Sequence, residues 1–345
     1  MQKILVTGGT GYIGSHTAVA LIEKGYEVVI IDNLSNSRAE VIESISGITG
    51  KKPSFHQIDL CDAGKLRKFF ESEKVDAVIH FAARKLVEES VQKPVLYYRN
   101  NLVSLINLAE SCLEFEVKHI VFSSSCTVYG QPDTLPVDES ALLKKAESPY
   151  GNTKRISEEI LADVTKISSL QVISLRYFNP VGAHESTLIG EYPLNAPSNL
   201  MPVITSVAIG KRKSLQVFGN DYDTPDGTCI RDYIHVMDVA DAHVIAIVRL
   251  LDRRNPEQFE VFNLGTGKGI TVLEMIRTFE RVNKLSLNYS IVNRRAGDVV
   301  KIFAGTRKIN EVLGWKTSRT LEDMVSSAWK WEQRLADMEK ETTGR

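Results

Sequence analysis

Short apolar runs alternate with amphipathic segments through the first half of the chain. Several runs are continuously apolar, which is typical of parallel strands buried on both faces of a sheet. Alternation of strands and helices on this scale predicts a doubly wound parallel sheet with right-handed crossovers. The predicted strands are Ile4–Val6, Val28–Ile31, Phe55–Ile58, Ala77–Phe81, Ile120–Ser123 and Val172–Tyr177, and the predicted helices cover 12–24, 62–73, 94–115 and 150–167.

This regular alternation ends after Tyr177. Segments 184–198 and 219–228 are rich in Gly, Pro, Asn and Asp, and loops of that length in a compact chain are usually functional or disordered. The later pattern predicts a strand at Val261–Leu264 and helices near 199–210, 238–251, 271–283 and 320–335. We therefore expect an α/β protein with a Rossmann-type doubly wound domain over 1–178. A smaller mixed α/β lobe over 179–338 would bind the substrate, and some of its elements would belong to the first domain. Residues 339–345 would form a frayed tail.

Composition narrows the class of protein. The 345 residues include 42 basic and 43 acidic side chains, and this balance argues against a partner such as nucleic acid or an anionic membrane. The four cysteines form no CxxC pair and the seven histidines no HExxH motif, so we expect no disulfide and no metal site. Without a signal peptide or a membrane-spanning apolar run in the sequence, a cytoplasmic location is expected.

A glycine-rich turn follows the first predicted strand and opens a helix. Gly8 would allow the sharp turn, Gly11 the close approach of a pyrophosphate, and Gly14 the packing of helix on strand. Asp32, at the end of the second strand, is placed to bind the adenosine ribose, and no arginine follows at 33–36, which favours NAD over NADP. Asp59 is a candidate partner of the adenine, with a helix N-cap as the alternative interpretation.

Tyr150 and Lys154 are four residues apart at the start of a predicted helix, so they share one helical face. A tyrosine acts as an acid or base near neutral pH only if its pKa is lowered by about three units, and a neighbouring ammonium acts in that direction. Ser125 follows a predicted strand and completes a candidate Ser–Tyr–Lys centre. A chance pairing on a helix surface is the alternative for the tyrosine and the lysine alone.

Longer motifs carry a resemblance to a known family. The chain resembles the UDP-glucose 4-epimerases of the extended short-chain dehydrogenase/reductase superfamily over about residues 2–335. The segments concerned are 11–16 (GYIGSH), 32–37 (DNLSNS), 89–94 (ESVQKP), 176–184 (RYFNPVGAH), 199–202 (NLMP), 218–222 (FGNDY) and 231–236 (RDYIHV).

This resemblance implies a reversible 4-epimerisation of UDP-glucose and UDP-galactose with tightly bound NAD, through a 4-keto sugar. Tyr150 would be the acid/base, Ser125 and Thr127 would bind the reacting hydroxyl, and Lys154 would lower the pKa of Tyr150. The implied NAD site comprises Gly8, Gly11, Tyr12, Ile13, Gly14, Asp32, Asn33, Leu34, Asn36, Ser37, Asp59, Leu60, Phe81, Ala82, Ala83, Lys85, Asn100, Ser125, Tyr150, Lys154, Tyr177 and Phe178. The implied UDP-sugar site comprises Ser125, Thr127, Tyr150, Phe178, Asn179, Asn199, Leu200, Val217, Phe218, Arg231, Arg295, Asp298 and Ile302.

Members of this family are commonly homodimers, so the resemblance also implies a homodimer through the 94–115 helix. The helix presents Leu102, Leu105, Ile106 and Ala109 on one face, which could instead pack internally. For Arg294 and Arg295, a surface salt bridge is the alternative to diphosphate binding.

Two positions depart from the family pattern. Ala83 stands where the family has glycine, close to the expected nicotinamide contact. Ile302 is intermediate between the tyrosine of forms restricted to plain hexoses and the small residue of forms that accept 2-acetamido sugars, which predicts partial tolerance of N-acetylated substrates.

Three other functions remain open at this stage. A sugar-nucleotide 4,6-dehydratase would carry an Asp–Glu pair after the catalytic serine or threonine, and 125–130 contains no acid. An epimerase of another UDP-sugar, such as a uronate or a pentose, would differ only in the sugar pocket. An NAD-sensing regulator would not need Tyr150 and Lys154.

Overall fold

A seven-stranded parallel sheet forms the centre of the molecule. The computed structural model describes residues 1–194, 197–295 and 299–343. The strand order is β11-β6-β5-β4-β1-β2-β3, and every neighbouring pair is parallel. The strands are β1 (Lys3–Thr7), β2 (Glu27–Asp32), β3 (Ser54–Gln57), β4 (Ala77–His80), β5 (His119–Ser125), β6 (Gln171–Tyr177) and β11 (Phe259–Leu264).

Helices cover both faces of this sheet, because successive residues of a strand point to opposite sides. Ile4 and Val6 of β1 face the apolar core on one side of the sheet, and Leu5 faces the core on the other side. The first layer contains α1 (Tyr12–Glu23), α2 (Val41–Thr49), α8 (Val236–Leu251) and α10 (Arg307–Leu313). The second contains α3 (Ala63–Ser72), α5 (Pro94–Glu114) and α6 (Pro149–Ile167), with the short α4 (Val87–Gln92) beside α5 and α6.

The second half of the chain builds a separate apolar cluster around Phe279 and Ile204. The elements of this lobe are α7 (Leu200–Ala208), α9 (Val272–Asn283) and α11 (Leu321–Thr343), together with the parallel pair β8 (Leu215–Phe218) and β13 (Tyr289–Val292). Two further small sheets join β7 (Asn179–Val181) to β10 (Tyr233–His235), and β9 (Ile230–Arg231) to β12 (Ile270–Thr271) and β14 (Lys301–Ile302).

The predicted fold class is confirmed, since a doubly wound parallel sheet carries a smaller mixed lobe. All predicted strands are present, and β11 lies in the central sheet beside β6 although it belongs to the second half of the chain. In the described part of the chain, the sequence pattern did not predict α2, α4, α10 or seven short strands of the second half. The last helix continues to Thr343, five residues beyond the predicted boundary at 338. No helix in the described ranges combines the length and the apolar character needed to cross a membrane.

Candidate active site

The glycine turn lies where β1 ends and α1 begins. Gly8 has a positive φ of 71°, which disfavours other residues, and a Cβ at Gly14 would overlap the carbonyl oxygen of Gly8. Gly11 is the N-cap of α1 and, among the described residues, no side chain caps this end of the helix. The first-turn N–H groups of α1 therefore point into the cavity described below, as a dinucleotide diphosphate requires.

Asp32 is the last residue of β2 and lies across this turn. Its Oδ1 accepts hydrogen bonds from the Leu34 N–H at 2.9 Å and the Ser37 hydroxyl at 3.0 Å, and its Oδ2 from the Thr10 N–H at 3.3 Å. Asp59 accepts from the Asn33 amide at 3.1 Å, whereas the N-cap of α3 is Asp62. These contacts hold a carboxylate at the position expected for ribose recognition, so the chain's own residues fit NAD.

The candidate catalytic side chains come from β5, the turn after it and α6. Ser125 ends β5, and its hydroxyl oxygen accepts from the Thr127 hydroxyl at 3.0 Å and from the Thr127 N–H at 3.3 Å. Ser148 caps α6 through the Gly151 N–H, which sets Tyr150 in the first turn of the helix. Lys154 donates to the carbonyl oxygen of Ser123 at 2.5 Å and lies 4.9 Å from the centre of the Phe122 ring.

Burial shifts both titrating groups of this centre. It raises the pKa of Tyr150 to about 12, although a hydrogen bond with Ser125 acts in the opposite direction. Burial also lowers the pKa of Lys154 to about 7, against the attraction of Glu158. Burial thus favours the neutral form of both groups in the chain by itself, and a lowering of the Tyr150 pKa by Lys154 stays a prediction.

The opposite end of the cavity carries basic, amide and aromatic groups. Arg231 on β9 donates to the carbonyl oxygen of Val299 at 2.6 Å, and the Arg295 guanidinium lies 5.4 Å from the centre of the Phe218 ring. Arg294 forms an exposed ion pair with Asp221 at 2.7 Å, as the surface salt-bridge alternative predicts for this residue. Ile302 on β14 is buried in a cluster with Cys126 and Phe178.

One cavity of about 1830 Å³ joins these two ends. Of the predicted site residues that the structure describes, all but two line it. Leu34 and Val217 do not line it: Leu34 contributes its backbone N–H to Asp32, and Val217 packs into the apolar cluster of the second lobe. Asp298 lies outside the described residues. The lining residues from the prediction are Gly8, Gly11, Tyr12, Ile13, Gly14, Asp32, Asn33, Asn36, Ser37, Asp59, Leu60, Phe81, Ala82, Ala83, Lys85, Asn100, Ser125, Thr127, Tyr150, Lys154, Tyr177, Phe178, Asn179, Asn199, Leu200, Phe218, Arg231, Arg295 and Ile302.

Glu191 is a lining residue that the sequence analysis missed. Its Oε1 accepts hydrogen bonds from Lys85 at 2.9 Å and from the Asn199 amide at 3.1 Å, and its backbone oxygen accepts from the Trp331 indole at 3.0 Å. It therefore connects a predicted cofactor residue with a predicted substrate residue. Glu191 lies within the loop 184–198 that composition marked as functional, but no local motif identifies it.

Arg38 and Tyr192 form a second missed contact across the cavity. The Arg38 guanidinium lies 3.9 Å from the centre of the Tyr192 ring, which packs edge-to-face on Trp331. Arg38 follows the turn of Asp32, so this stack joins the cofactor end to the second lobe.

A glycine turn that opens on a buried Ser–Tyr–Lys centre, completed by a second lobe, defines an extended short-chain dehydrogenase/reductase. A family model described as GDP-mannose 4,6 dehydratase matches residues 5–328. The chain belongs to that family and, within it, to the UDP-glucose 4-epimerases. Residues 125–130 contain no acid, in agreement with an epimerase rather than a dehydratase.

Three relatives document this membership. The UDP-glucose 4-epimerase of Yersinia enterocolitica is 49% identical over 333 residues, which are 96% of this chain and 98% of that protein. A crystal structure of the UDP-glucose 4-epimerase of Stenotrophomonas maltophila, with bound NAD and formylated UDP-arabinopyranose, superposes with a TM-score of 0.95 at 46% identity over 98% of this chain and 100% of that one. The enzyme of Bifidobacterium longum, in complex with NAD+ and UDP, gives 0.92 at 44% identity, covering 97% and 99%.

Other chemistries find less support in the cavity. Burial raises the pKa of the Cys126 thiol to about 12, so this cysteine is no activated nucleophile. Within the described ranges, no group of three His, Cys, Asp or Glu side chains is placed to hold a metal ion.

Proposed function

We propose that this chain interconverts UDP-glucose and UDP-galactose, with NAD as its resident cofactor and Tyr150 as the acid/base. The observation that carries the proposal is the position of Ser125, Tyr150 and Lys154 between the two ends of one cavity. The glycine turn of α1 lies at one end, and Arg231 and Arg295 lie at the other. A nucleotide sugar anchored at the basic end therefore presents its sugar to the buried centre.

Each residue of the centre has a distinct task. Tyr150 takes the proton of the 4-hydroxyl while the hydrogen of carbon 4 leaves with its electron pair, which yields a 4-keto sugar. Ser125 and Thr127 hydrogen-bond the reacting oxygen, and their mutual contact at 3.0 Å fixes their orientation. Return of the hydrogen to the opposite face of carbon 4, with the proton from Tyr150, completes the inversion. Bound NAD supplies the hydride acceptor and a positive charge, which favours the phenolate.

Residues at the basic end hold the nucleotide while the sugar turns over. Guanidinium groups suit a diphosphate because their fork donates two parallel hydrogen bonds. Arg231 and Arg295 would take this role, and the ring of Phe218 offers an apolar face to the uracil. Asn179 and Asn199 would contribute amide donors.

A direct assay tests this proposal. Purified protein given UDP-galactose without added NAD should form UDP-glucose, and reduced nicotinamide should become detectable by its absorbance during turnover. Absence of product both with and without added NAD would overturn the proposal.

The size of Ile302 supports a second proposal, that the substrate range includes N-acetylated UDP-sugars. Its side chain is 5% exposed and packs with Cys126 and Phe178, so it leaves less room than a small residue and more than a tyrosine. We propose slow activity on UDP-N-acetylglucosamine, which Ile302→Ala should increase and Ile302→Tyr should abolish. Equal rates on the acetylated and plain sugars, or none on the acetylated one, would contradict this.

A homodimer is the proposed assembly. Leu105 of α5 is buried in the second core and Ala109 is also buried, whereas Val95, Ile106 and Leu113 are 69%, 39% and 44% exposed. These three are eleven and seven residues apart, so they share one stripe of the helix. A monomeric mass by light scattering would contradict the dimer. Ile106→Asp should dissociate it, whereas Leu142→Asp, at an 81% exposed position on another segment, should not.

The proposed compartment is the cytoplasm. Its support is the set of four cysteines, all of which are free thiols. Localisation of the tagged protein in cell fractions tests this proposal.

A further inference from the structure

Helix α6 carries a third polar residue on the face of Tyr150 and Lys154. Glu158 follows Lys154 by four residues and is 4% exposed. Its carboxylate accepts from the Nε of Arg176 at 3.0 Å and from the Nη2 at 2.5 Å, and its Oε1 also accepts from the Ser174 hydroxyl at 2.7 Å. The helix is thereby fixed to β6 by a buried, bidentate ion pair.

Arg176 also binds the turn that follows Ser125. Its Nη1 donates to the Tyr129 hydroxyl at 3.0 Å, and its guanidinium carbon lies 4.9 Å from the centre of that ring. Tyr129 is the last residue of the 3₁₀ turn Cys126–Tyr129, whose N-cap is Ser125. The Tyr129 hydroxyl in turn donates to the Asn263 Oδ1 on β11 at 2.7 Å.

None of these five side chains lines the cavity, so the network does not touch the substrate. Desolvation of its charges costs free energy of folding, so that a buried ion pair is often no more stabilising than apolar residues of similar volume. Arg249 and Glu260 provide an internal comparison. They form the same bidentate pair, at 2.8 and 2.9 Å, between α8 and β11, with no catalytic residue on either element.

We propose that Glu158 and Arg176 are positioning residues for catalysis. Their ion pair, extended through the Tyr129 hydroxyl, holds the turn of Ser125 and Thr127 at a fixed distance from the helix of Tyr150 and Lys154. The network thus sets the geometry between the two halves of the catalytic centre. This inference rests on the proposed function, because it assumes that Tyr150 and Ser125 act on the same hydroxyl.

The network has an electrostatic consequence at Lys154. Glu158 is the group that raises the pKa of Lys154 against the effect of burial. The other groups facing Lys154 are Tyr150 on α6, the Ser123 carbonyl and Phe122 ring on β5, and His80 on β4. Removing the negative charge of Glu158 therefore lowers the pKa of Lys154 further, and the unpaired Arg176 cation acts in the same direction.

Matched variants test this inference. Glu158→Gln removes one charge from a buried bidentate pair, and Glu260→Gln removes one from a bidentate pair that is buried at Glu260 and 11% exposed at Arg249. We expect both variants to lower the melting temperature, and only Glu158→Gln to lower kcat, by about tenfold or more, with KM for UDP-galactose unchanged. The alkaline limb of its kcat profile should move to lower pH by about one unit.

Tyr129→Phe keeps the ion pair and removes only the link to the turn. We expect a lower kcat with an unchanged KM and a pH profile like that of the wild type. If Glu158→Gln does not fold, Tyr129→Phe still tests whether the network positions the catalytic residues. The inference is overturned if Tyr129→Phe retains the wild-type kcat, or if Glu260→Gln loses as much activity as Glu158→Gln. An inactive wild-type protein would instead refute the proposed function.

Discussion

Tyr150 and Lys154 are held in desolvated surroundings that favour the neutral form of each. A pKa of about 12 for the phenol leaves very little phenolate at neutral pH, so the chain alone provides a poor base. A cation bound in the same cavity stabilises the phenolate strongly, because the local dielectric constant is low. With Tyr150 as the proposed acid/base, its reactivity would therefore depend on the bound cofactor, and proton transfer is expected only in the loaded enzyme.

Tyr150→Phe should lower kcat by about a hundredfold to ten-thousandfold, since the proton acceptor is lost while the cavity keeps its shape. Bound dinucleotide should remain, because the phenol oxygen is only one of many contacts. Steady-state kinetics and the absorbance of the released dinucleotide measure both effects. Tyr98→Phe is the matched control, because the Tyr98 hydroxyl accepts from Asn152 on the same helix but lies outside the cavity. Full activity of the Tyr150 variant would contradict the assignment.

The sequence indicates some of these residues and not others, for a physical reason. Tyr150 and Lys154, like the glycines of the turn, lie only a few residues apart in the sequence. Their spacing within one helix or turn is therefore enough to recognise them. Glu191 reaches Lys85 across 106 positions of the chain, and Arg176 reaches Tyr129 across 47. Contacts of this kind depend on how distant elements pack, and a single sequence does not specify them.

Among the elements of the fold, the turn between β1 and α1 is the one that makes room for a dinucleotide. A Cβ at Gly14 would overlap the Gly8 carbonyl oxygen, and this contact involves backbone, which cannot move aside cheaply. Gly14→Ala should therefore separate α1 from β1 and weaken cofactor retention.

We expect Gly14→Ala to lower the free energy of unfolding by about 1–3 kcal/mol and to release most of the bound dinucleotide. Urea unfolding and gel filtration followed by absorbance measure these effects. Gly64→Ala on α3 is the control, because its Cβ would lie 3.6 Å from the Asp62 Oδ1, an ordinary contact. This change should retain the dinucleotide and alter stability by about 1 kcal/mol or less. If the Gly14 variant kept both the wild-type stability and the bound dinucleotide, this role of the turn in cofactor binding would be refuted.

Elements with a strong local pattern were the ones that the sequence predicted. The parallel strands have continuous apolar runs, and α9 begins with a capping box between Thr271 and Glu274. By contrast, α2 has no side-chain cap at its N-terminus and contains Gly47. The strands β9, β12 and β14 have two residues each, so no periodicity can reveal them, and they exist only through pairing with one another.

At the scale of the whole molecule, neutral buried histidines are expected to reduce stability in acid. Burial lowers the pKa values of His16 and His80 to about 3, and those of His235 and His243 to about 4. Since the unfolded chain takes up protons near pH 6.5, the unfolded state binds more protons below that pH, and stability falls as the pH falls.

The free energy of unfolding should therefore decrease from pH 7 to pH 5, by about 2 kcal/mol for one such histidine. Urea titrations at several pH values in this range measure the slope. His243→Leu should reduce the slope, since this ring is buried against Phe81 and Tyr177. A free energy of unfolding that stays constant between pH 7 and pH 5 would contradict this explanation.

The central claim of the proposed function is that the hydrogen removed from carbon 4 of the sugar returns to the same carbon. The most direct measurement uses UDP-galactose labelled with deuterium at carbon 4 and follows the label by mass spectrometry. Because the cavity is shared by the glycine turn, the Ser–Tyr–Lys centre and the basic end, we predict UDP-glucose that retains the deuterium at carbon 4. UDP-glucose that has exchanged this deuterium for solvent hydrogen would contradict the account.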